Sequence, residues 1–266
     1  MQKITDSLSP WWGTFNFELD QSKLWRLGPL TMILRCLSGE WQVSYERIEQ
    51  YEDSDISVSD TDSIPEDLPE LTRYVFRNPC RSLKITPLLA DRPVISRPRI
   101  PFNLSAGEEI TLYVSSPLWI ELSAGNNAKK LGELSIQRPS DTWFGPSTLQ
   151  GELCYATTTH CRINLVEIPE RRYRAITPVI IRNNADTTLS LERLNLPSPQ
   201  LSIYTSDDGR LWTSTVKLTR EKDGDMAALR VIHKPPKEAP EAIILSQPRV
   251  ASEAGVFIRA FNAVFS

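Results

Sequence analysis

Hydrophobic and polar residues alternate with a period of two along most of this chain. In residues 13–20, Phe15, Phe17 and Leu19 alternate with polar side chains. Such alternation is typical of β-strands with one buried face. No long segment has the 3.6-residue period of an amphipathic helix, so we expect helices to be few and short.

Two further segments specify strands and a turn. In TMILRCLSGEWQVSYERI, alternating apolar residues stand on both sides of a Ser-Gly pair, which predicts a β-hairpin with one buried face. In GEEITLYVSSPLWIELSAG, we predict that Pro117 ends one strand before another begins, because proline cannot donate to a strand ladder.

Residues 46–70 differ sharply in composition from the rest. Acidic side chains dominate this segment and apolar ones are sparse, which predicts a solvated, mobile loop. Four of its aspartates are close in sequence, but the glycine and the closing glutamate of an EF-hand loop are missing. We therefore favour a flexible acidic loop over a specific metal site, and keep weak, screened cation binding as the alternative.

A second β pattern begins at Leu153, and its odd-numbered positions up to Leu165 suit a core. Turn-forming Asn, Asp and Gly clusters separate the strands that follow. The predicted fold is all-β: two sandwich-like antiparallel domains, immunoglobulin-like or jelly-roll-like, with few short helices. The expected domains are residues 1–140, which include the acidic loop, and residues 141–266.

Composition and charge narrow the class of protein. The net charge of the 266 residues is −3, and the basic residues are scattered, which argues against a nucleic-acid binder. No apolar stretch approaches the roughly 20 residues that would insert into a membrane, and no secretory leader pattern opens the chain. We expect a cytoplasmic protein whose four cysteines are free thiols, with Cys154 and Cys161 on opposite faces of one strand.

Catalytic and cofactor chemistry finds little support in the sequence. Only His160 and His233 could serve as a histidine base, and His160 faces away from Cys161 if both lie on one strand. Zinc would need a fourth ligand at short spacing beside Cys154, His160 and Cys161. We predict no catalytic set, no metal site and no cofactor.

The stretch RPSDTWFGPSTLQGELCYATTTHC has neither a helical period nor a clean strand pattern in its first half. This half combines a guanidinium, a carboxylate and two aromatic rings, as many interaction hot spots do: Arg138, Asp141, Trp143 and Phe144. A joint between two β domains would use the same residues. We favour the joint, with Trp143 largely buried, and keep a partner or ligand surface as the alternative.

Another candidate contact residue is Trp212, in YTSDDGRLWTS. Ser206, Asp208, Gly209 and Trp212 resemble the S-x-D-G-x-x-W hairpin of discoidin-like carbohydrate-binding sandwiches. They also resemble the Asp-box turn of sialidase propellers, which has one more residue between Asp and Gly. In both families the motif is mainly structural. We therefore favour a tight turn over a glycan site.

Three sequence segments resemble those of a known family: LLADRPVISRP, LYVSSPLWIEL and RPSDTWFGPSTLQGELCY. Together they resemble an uncharacterised prokaryotic family, domain of unknown function 432, over most of the chain. The resemblance implies a prokaryotic origin and implies no activity.

Three hypotheses for function remain. The first is a non-catalytic interaction or scaffold protein that binds a protein partner or a second copy of itself. The second is a small-ligand or glycan-binding protein with a site where the two domains meet, using Trp143 and Trp212. The third is an undescribed hydrolase with Asp141 and His160 as its candidate residues.

Overall fold

The computed structural model describes residues 10–49, 56–61, 70–78, 80–125, 128–147, 149–251 and 256–261. Within them the only helical elements are two 3-10 turns, Leu165–Glu167 and Ser198–Gln200. The all-β class is therefore confirmed, and the two-sandwich arrangement stays a prediction. In the same residues, no helix has the length and apolar character needed to cross a membrane.

The strands follow one another in two groups along the chain. The first group is β1 (Gly13–Asn16), β2 (Ser22–Leu27), β3 (Leu30–Leu37), β4 (Glu40–Arg47), β5 (Ile56–Thr61), β6 (Glu70–Val75), β7 (Ser82–Leu89), β8 (Val94–Pro98), β9 (Phe102–Leu104), β10 (Glu109–Ala124) and β11 (Lys129–Ser135). The second group is β12 (Ser140–Phe144), β13 (Glu152–Cys161), β14 (Arg174–Asn183), β15 (Leu189–Leu191), β16 (Leu194–Leu196), β17 (Ile203–Thr205), β18 (Leu211–Thr213), β19 (Thr215–Arg220), β20 (Met226–Ile232), β21 (Ile243–Ser246) and β22 (Phe257–Arg259).

The chain forms two compact units that alternate along the sequence. Unit 1 comprises Met1–Thr86 and Ile120–Leu134, and unit 2 comprises Pro87–Trp119 and Ser135–Ser266. The sequence pattern suggested one break, between residues 140 and 141. The division into residues 1–140 and 141–266 stays a prediction.

A five-stranded antiparallel sheet, in the order β5-β2-β3-β4-β6, forms much of unit 1. Its centre is the predicted hairpin: β3 pairs with β4, and Cys36 lies directly opposite Trp41. Gly39 in the connecting turn has a φ of 86°, a conformation that glycine adopts without steric cost. The hairpin prediction is confirmed.

The outer strand β5 corrects the loop prediction for part of the acidic segment. All six residues of Ile56–Thr61 pair with β2, and Lys23 Nζ lies 2.7 Å from Asp60 Oδ1. Ile56 and Val58 alternate with serines, so this short run follows a strand pattern that the surrounding acidic residues obscured. Residues 70–75 also form a strand, whereas 50–55 and 62–69 lie outside the described residues.

Strand β10 is continuous through Pro117, so the predicted break at this proline is wrong. Pro117 lies opposite Arg174, in the last pair of the β10–β14 ladder. Its missing N–H therefore falls where pairing with β14 ends, which is a position that tolerates proline. Leu112 and Leu118 lie on either side of it, an even number of residues apart, so they share one face of the strand. Both are buried.

The sheets of unit 2 are mixed rather than purely antiparallel, which corrects the predicted strand arrangement. Strand β14 pairs with β10 in antiparallel orientation, but with β18 and β19 in parallel orientation. A second sheet has the order β12-β13-β8-β16, and its β13–β8 pair is also parallel. Side chains alternate between the two faces of a strand in parallel and in antiparallel pairs alike. The alternation of apolar and polar residues therefore could not show which strands pair in parallel.

Strand β14 presents two different faces. Ala175, Thr177, Val179 and Ile181 are fully buried on one face. The opposite face carries Arg174, Ile176, Pro178 and Ile180, because side chains alternate along a strand. Both cavities described below lie along this second face.

Candidate functional site

An arginine-lined pocket lies in unit 2 as a shallow depression: about 390 Å³ is free of protein when the solvent at its mouth is counted, but only about 20 Å³ of this is cavity. It is lined by Ser115, Leu165, Ile168, Pro169, Glu170, Arg171, Arg172, Arg174, Ile176, Arg210 and Leu211. Four arginines of the lining stand against Glu170 of the lining and Asp208, which pairs with Arg210, so two positive charges are in excess. Such a surplus favours an anionic ligand.

Arg174 is the most buried charge of the pocket, with only 4% of its surface exposed. Its Nε donates to Ser115 Oγ at 2.8 Å, its Nη2 donates to the Ser115 carbonyl at 2.6 Å, and its Nη1 donates to Gln137 Oε1 at 3.0 Å. These acceptors are uncharged oxygens that fix the plane of the guanidinium. A guanidinium held in one orientation in this way can donate to a carboxylate or phosphate that enters the pocket.

Arg172 and Arg210 are more exposed than Arg174, at 31% and 41% of their side-chain surface. Arg210 Nε lies 3.3 Å from Asp208 Oδ2, and Arg172 Nε lies 3.8 Å from Glu170 Oε1. Exposed pairs of this kind contribute about 0–1 kcal/mol. The Arg210 guanidinium can therefore turn towards a bound anion at low cost.

The predicted Ser-x-Asp-Gly turn places Arg210 beside the pocket. Ser206 Oγ donates to Asp208 Oδ1 at 2.6 Å, and the Arg210 backbone N–H donates to the same oxygen at 3.1 Å. Burial raises the pKa of Asp208, but these hydrogen bonds outweigh it and hold that pKa below its ordinary value. Gly209 has a φ of 78°, as a tight turn with glycine requires.

Trp212 lies beneath this turn rather than at the surface. It is 3% exposed, packs with Tyr204, Ala239 and Ala242, and donates from Nε1 to Ser206 Oγ at 3.1 Å. A ring so placed supports the turn and offers a ligand almost no surface.

The stretch around Trp143 forms the β12–β13 hairpin, and it lies entirely within unit 2. Arg138 Nη2 lies 3.4 Å from Asp141 Oδ2, and both side chains are exposed. Asp141 also accepts a hydrogen bond from Arg92 Nη1 at 3.1 Å. The structure therefore brings two of the predicted residues together as a surface ion pair.

The two aromatic residues of this hairpin differ in burial. Trp143 is half-buried, and its Nε1 donates to the Ser147 carbonyl at 2.8 Å, which closes the hairpin loop. Phe144 is 1% exposed and packs against Ile95 and Cys154. Phe144 thus belongs to the core, and Trp143 leaves part of its ring accessible.

His160 is exposed at the other end of β13, opposite Arg97. Asp141 pairs with Tyr155, which is five residues from His160 along the strand. At about 3.3 Å per residue this separation is on the order of 15 Å. The structure does not bring the two candidate hydrolase residues together.

Cys154 and Cys161 are free and buried, and burial raises the pKa of each thiol to about 12. Leu153 is 45% exposed and Ile163 is 52% exposed, so the predicted burial of odd-numbered positions from Leu153 to Leu165 is wrong at these two residues. The β13–β8 register shifts between Ala156 and His160, which breaks the strict alternation.

We expect Cys154 and Cys161 in the native protein to resist a thiol reagent such as DTNB at pH 8. With a pKa near 12, only about one thiol in 10⁴ is a thiolate at that pH, and the thiolate is the reactive form. Half-buried Cys80 serves as the internal comparison, and all four thiols should react in denaturant. Rapid native labelling of Cys154 or Cys161, read by peptide mass spectrometry, would contradict the described burial.

Sequence reasoning missed the arginine pocket. The segment IPERRYR contains Arg171, Arg172 and Arg174 within four residues, so a local cluster was visible. What the sequence could not show is that Ser115 and Arg210, distant along the chain, lie beside it. Within the part of the chain that the structure describes, no group of three or more His, Cys, Asp or Glu could hold a metal ion.

Comparison with known proteins identifies one family. The model described as "Protein of unknown function (DUF432)" matches residues 11–266. No curated protein and no solved structure matches the chain.

Proposed function

This chain belongs to the DUF432 family, and from the geometry of its unit 2 we propose that it binds a small organic anion without catalysing a reaction. The observation that carries the proposal is the pocket in which Arg174, buried and fixed by Ser115, stands together with three other arginines. Buried, oriented guanidinium groups are the preferred protein partners of carboxylate and phosphate.

The other lining residues indicate what the anion is attached to. Leu165, Ile168, Ile176 and Leu211 give the pocket apolar walls beside its charged groups. Small-molecule sites typically combine such walls with a few polar groups that fix orientation. We therefore propose a carboxylate or phosphate carried on an apolar body, as in an aromatic or branched organic acid.

Phenyl phosphate and inorganic phosphate are suitable calorimetric probes. We expect phenyl phosphate to bind more tightly, because its ring can contact the apolar walls. Arg210→Ala should weaken binding of phenyl phosphate about tenfold, which corresponds to 1.4 kcal/mol. A higher salt concentration should also weaken the binding of phenyl phosphate to the wild type, because salt screens the charge of an arginine at the pocket mouth.

The matched control is Arg138→Ala, which removes an exposed arginine that does not line the pocket. Its affinity for phenyl phosphate should equal that of the wild type. Equal losses in the two variants would mean that the anion responds to overall charge, and the pocket proposal would then be wrong.

A second candidate function is self-association through the tip of the β12–β13 hairpin. Leu149 there is 94% exposed, and its backbone N–H donates to Ser147 Oγ at 3.3 Å. Leu153, at the start of β13, is 45% exposed, so the hairpin presents two apolar side chains that could contact a second copy. Sedimentation velocity should show a concentration-dependent dimer that Leu149→Asp abolishes, and a strictly monomeric wild type would exclude this candidate.

A further inference from the structure

A second cavity of unit 2 lies farther along the same face of β14 and is distinct from the arginine pocket. Its volume is about 470 Å³, open mouth included. It is lined by Thr111, Pro178, Ile180, Thr215, Ile232, Lys234, Pro235, Lys237 and Glu238. The strands β10, β14, β19 and β20 supply its walls, and residues 234–238 cover it from one side.

Glu238 is the unusual residue of this cavity. Its side chain is only 9% exposed, and its Oε1 accepts a hydrogen bond from the Tyr113 hydroxyl at 2.7 Å. Burial, together with Glu238, raises the pKa of Tyr113 to about 12, so this hydroxyl stays a donor at neutral pH. The second oxygen, Oε2, is buried, no described residue donates to it, and a ligand reaches it once the Glu238 side chain turns towards the cavity that this residue lines. A buried carboxylate oxygen without a donor is costly, so the site favours a ligand that brings one.

The remaining lining groups point to the rest of that ligand. Lys237 is 72% exposed with its Nζ 3.9 Å from Glu238 Oε1, and Lys234 is exposed beside it. Two ammonium groups can bind a carboxylate, while Ile180 and Ile232 provide apolar contact. One buried carboxylate, two exposed lysines and apolar walls are complementary to a zwitterion with an apolar side chain.

We propose that this cavity binds a free α-amino acid with an apolar side chain. Its ammonium group donates to Glu238, its carboxylate faces Lys234 and Lys237, and its side chain packs against Ile180 and Ile232. A simple amine would leave the lysines without an anion. An apolar acid would leave Glu238 Oε2 without a donor.

Three related compounds test each part of the proposal by calorimetry on the full chain. L-leucine has both charged groups, isoamylamine lacks the carboxylate, and 4-methylpentanoate lacks the ammonium. We expect saturable binding of leucine and at least tenfold weaker binding of the other two. Absence of saturable leucine binding overturns the proposal, and so does equal affinity for either analogue.

Glu238→Gln should weaken leucine binding at least tenfold, because the amide keeps the size of the side chain but removes its charge. Glu241→Gln, an exposed neighbour on the same segment, is the matched control and should bind like the wild type. If Glu238→Gln fails to fold, Ile232→Trp provides a second test, because the larger ring should fill the cavity and abolish binding.

The two sites of unit 2 can be tested independently. Arg210→Ala should leave leucine affinity unchanged, and phenyl phosphate should not compete with leucine. Competition between the two ligands would mean that leucine occupies the arginine pocket, which would overturn the amino-acid site. Failure of phenyl phosphate to bind would leave the leucine result unaffected.

Discussion

Replacing Trp25 by alanine is expected to lower the free energy of unfolding by about 3–5 kcal/mol, the usual cost of truncating a buried tryptophan. Trp25 is fully buried in unit 1, where its ring lies edge-on to Phe15 at 5.1 Å and stacked with Phe17 at 6.4 Å. Its Nε1 also donates to the Trp11 carbonyl at 3.1 Å. Alanine would leave a cavity and remove that donor from a buried acceptor.

Urea unfolding monitored by far-UV circular dichroism measures this loss. Trp25→Phe should cost less than Trp25→Ala, because phenylalanine keeps most of the apolar contact and loses only the hydrogen bond and part of the volume. Leu149→Ala, at a site 94% exposed, should change the free energy of unfolding by no more than about 0.5 kcal/mol. An alanine variant as stable as the Leu149 control would show that Trp25 does not pack as described.

The second large effect is expected at Arg220, whose guanidinium joins three parts of unit 2. Nε donates to the Gly224 carbonyl at 3.1 Å, and Nη1 donates to Asn183 Oδ1 at 3.2 Å and to the Thr187 carbonyl at 2.9 Å. Asn183 in turn donates from Nδ2 to the Leu104 carbonyl at 3.0 Å. One buried cation thus holds two turns against β9.

Arg220→Met keeps much of the side-chain volume but removes all of these donors. We expect the free energy of unfolding to fall by about 3 kcal/mol, since each buried acceptor left without a donor costs about 1–3 kcal/mol. Arg230→Met on the neighbouring strand is the control, because Arg230 is exposed and its loss should be nearly neutral. Equal thermal midpoints for the two variants would exclude a stabilising role for the Arg220 network.

The sequence predicted strands well where apolar and polar residues alternate without interruption. The β3–β4 hairpin follows directly from such alternation and from its Ser-Gly turn. At Pro117 the sequence predicted a strand end, because proline cannot donate a backbone hydrogen bond. The alternation of apolar residues nevertheless continues on both sides, and Pro117 forms the last pair of the β10–β14 ladder. Strand β5 was missed because the composition of the acidic segment outweighed a six-residue pattern inside it.

The candidate sites were harder to predict than the strands, because long-range pairing creates them. Ser115 lies beside Arg174 only because β10 pairs with β14 in one particular register. Likewise, Tyr113 and Glu238 are 125 residues apart in the chain, and no local pattern links them. Trp143 and Trp212 were conspicuous by residue type, yet the hydrogen bonds of both support loops within unit 2.

The alternation of the two units matters most while the chain is being synthesised. Residues 120–134 of unit 1 leave the ribosome only after residues 87–119 of unit 2. At about 5–20 residues per second, a ribosome needs roughly 2–10 s to extend the chain from residue 86 to residue 134. From its own synthesis until residues 174–183 follow, the first half of β10 has no β14 to pair with, and its apolar Leu112 and Val114 are unprotected. A nascent chain stalled near residue 140 is thus a natural client for a chaperone, and a recombinant fragment ending there would carry the same open strand into solution.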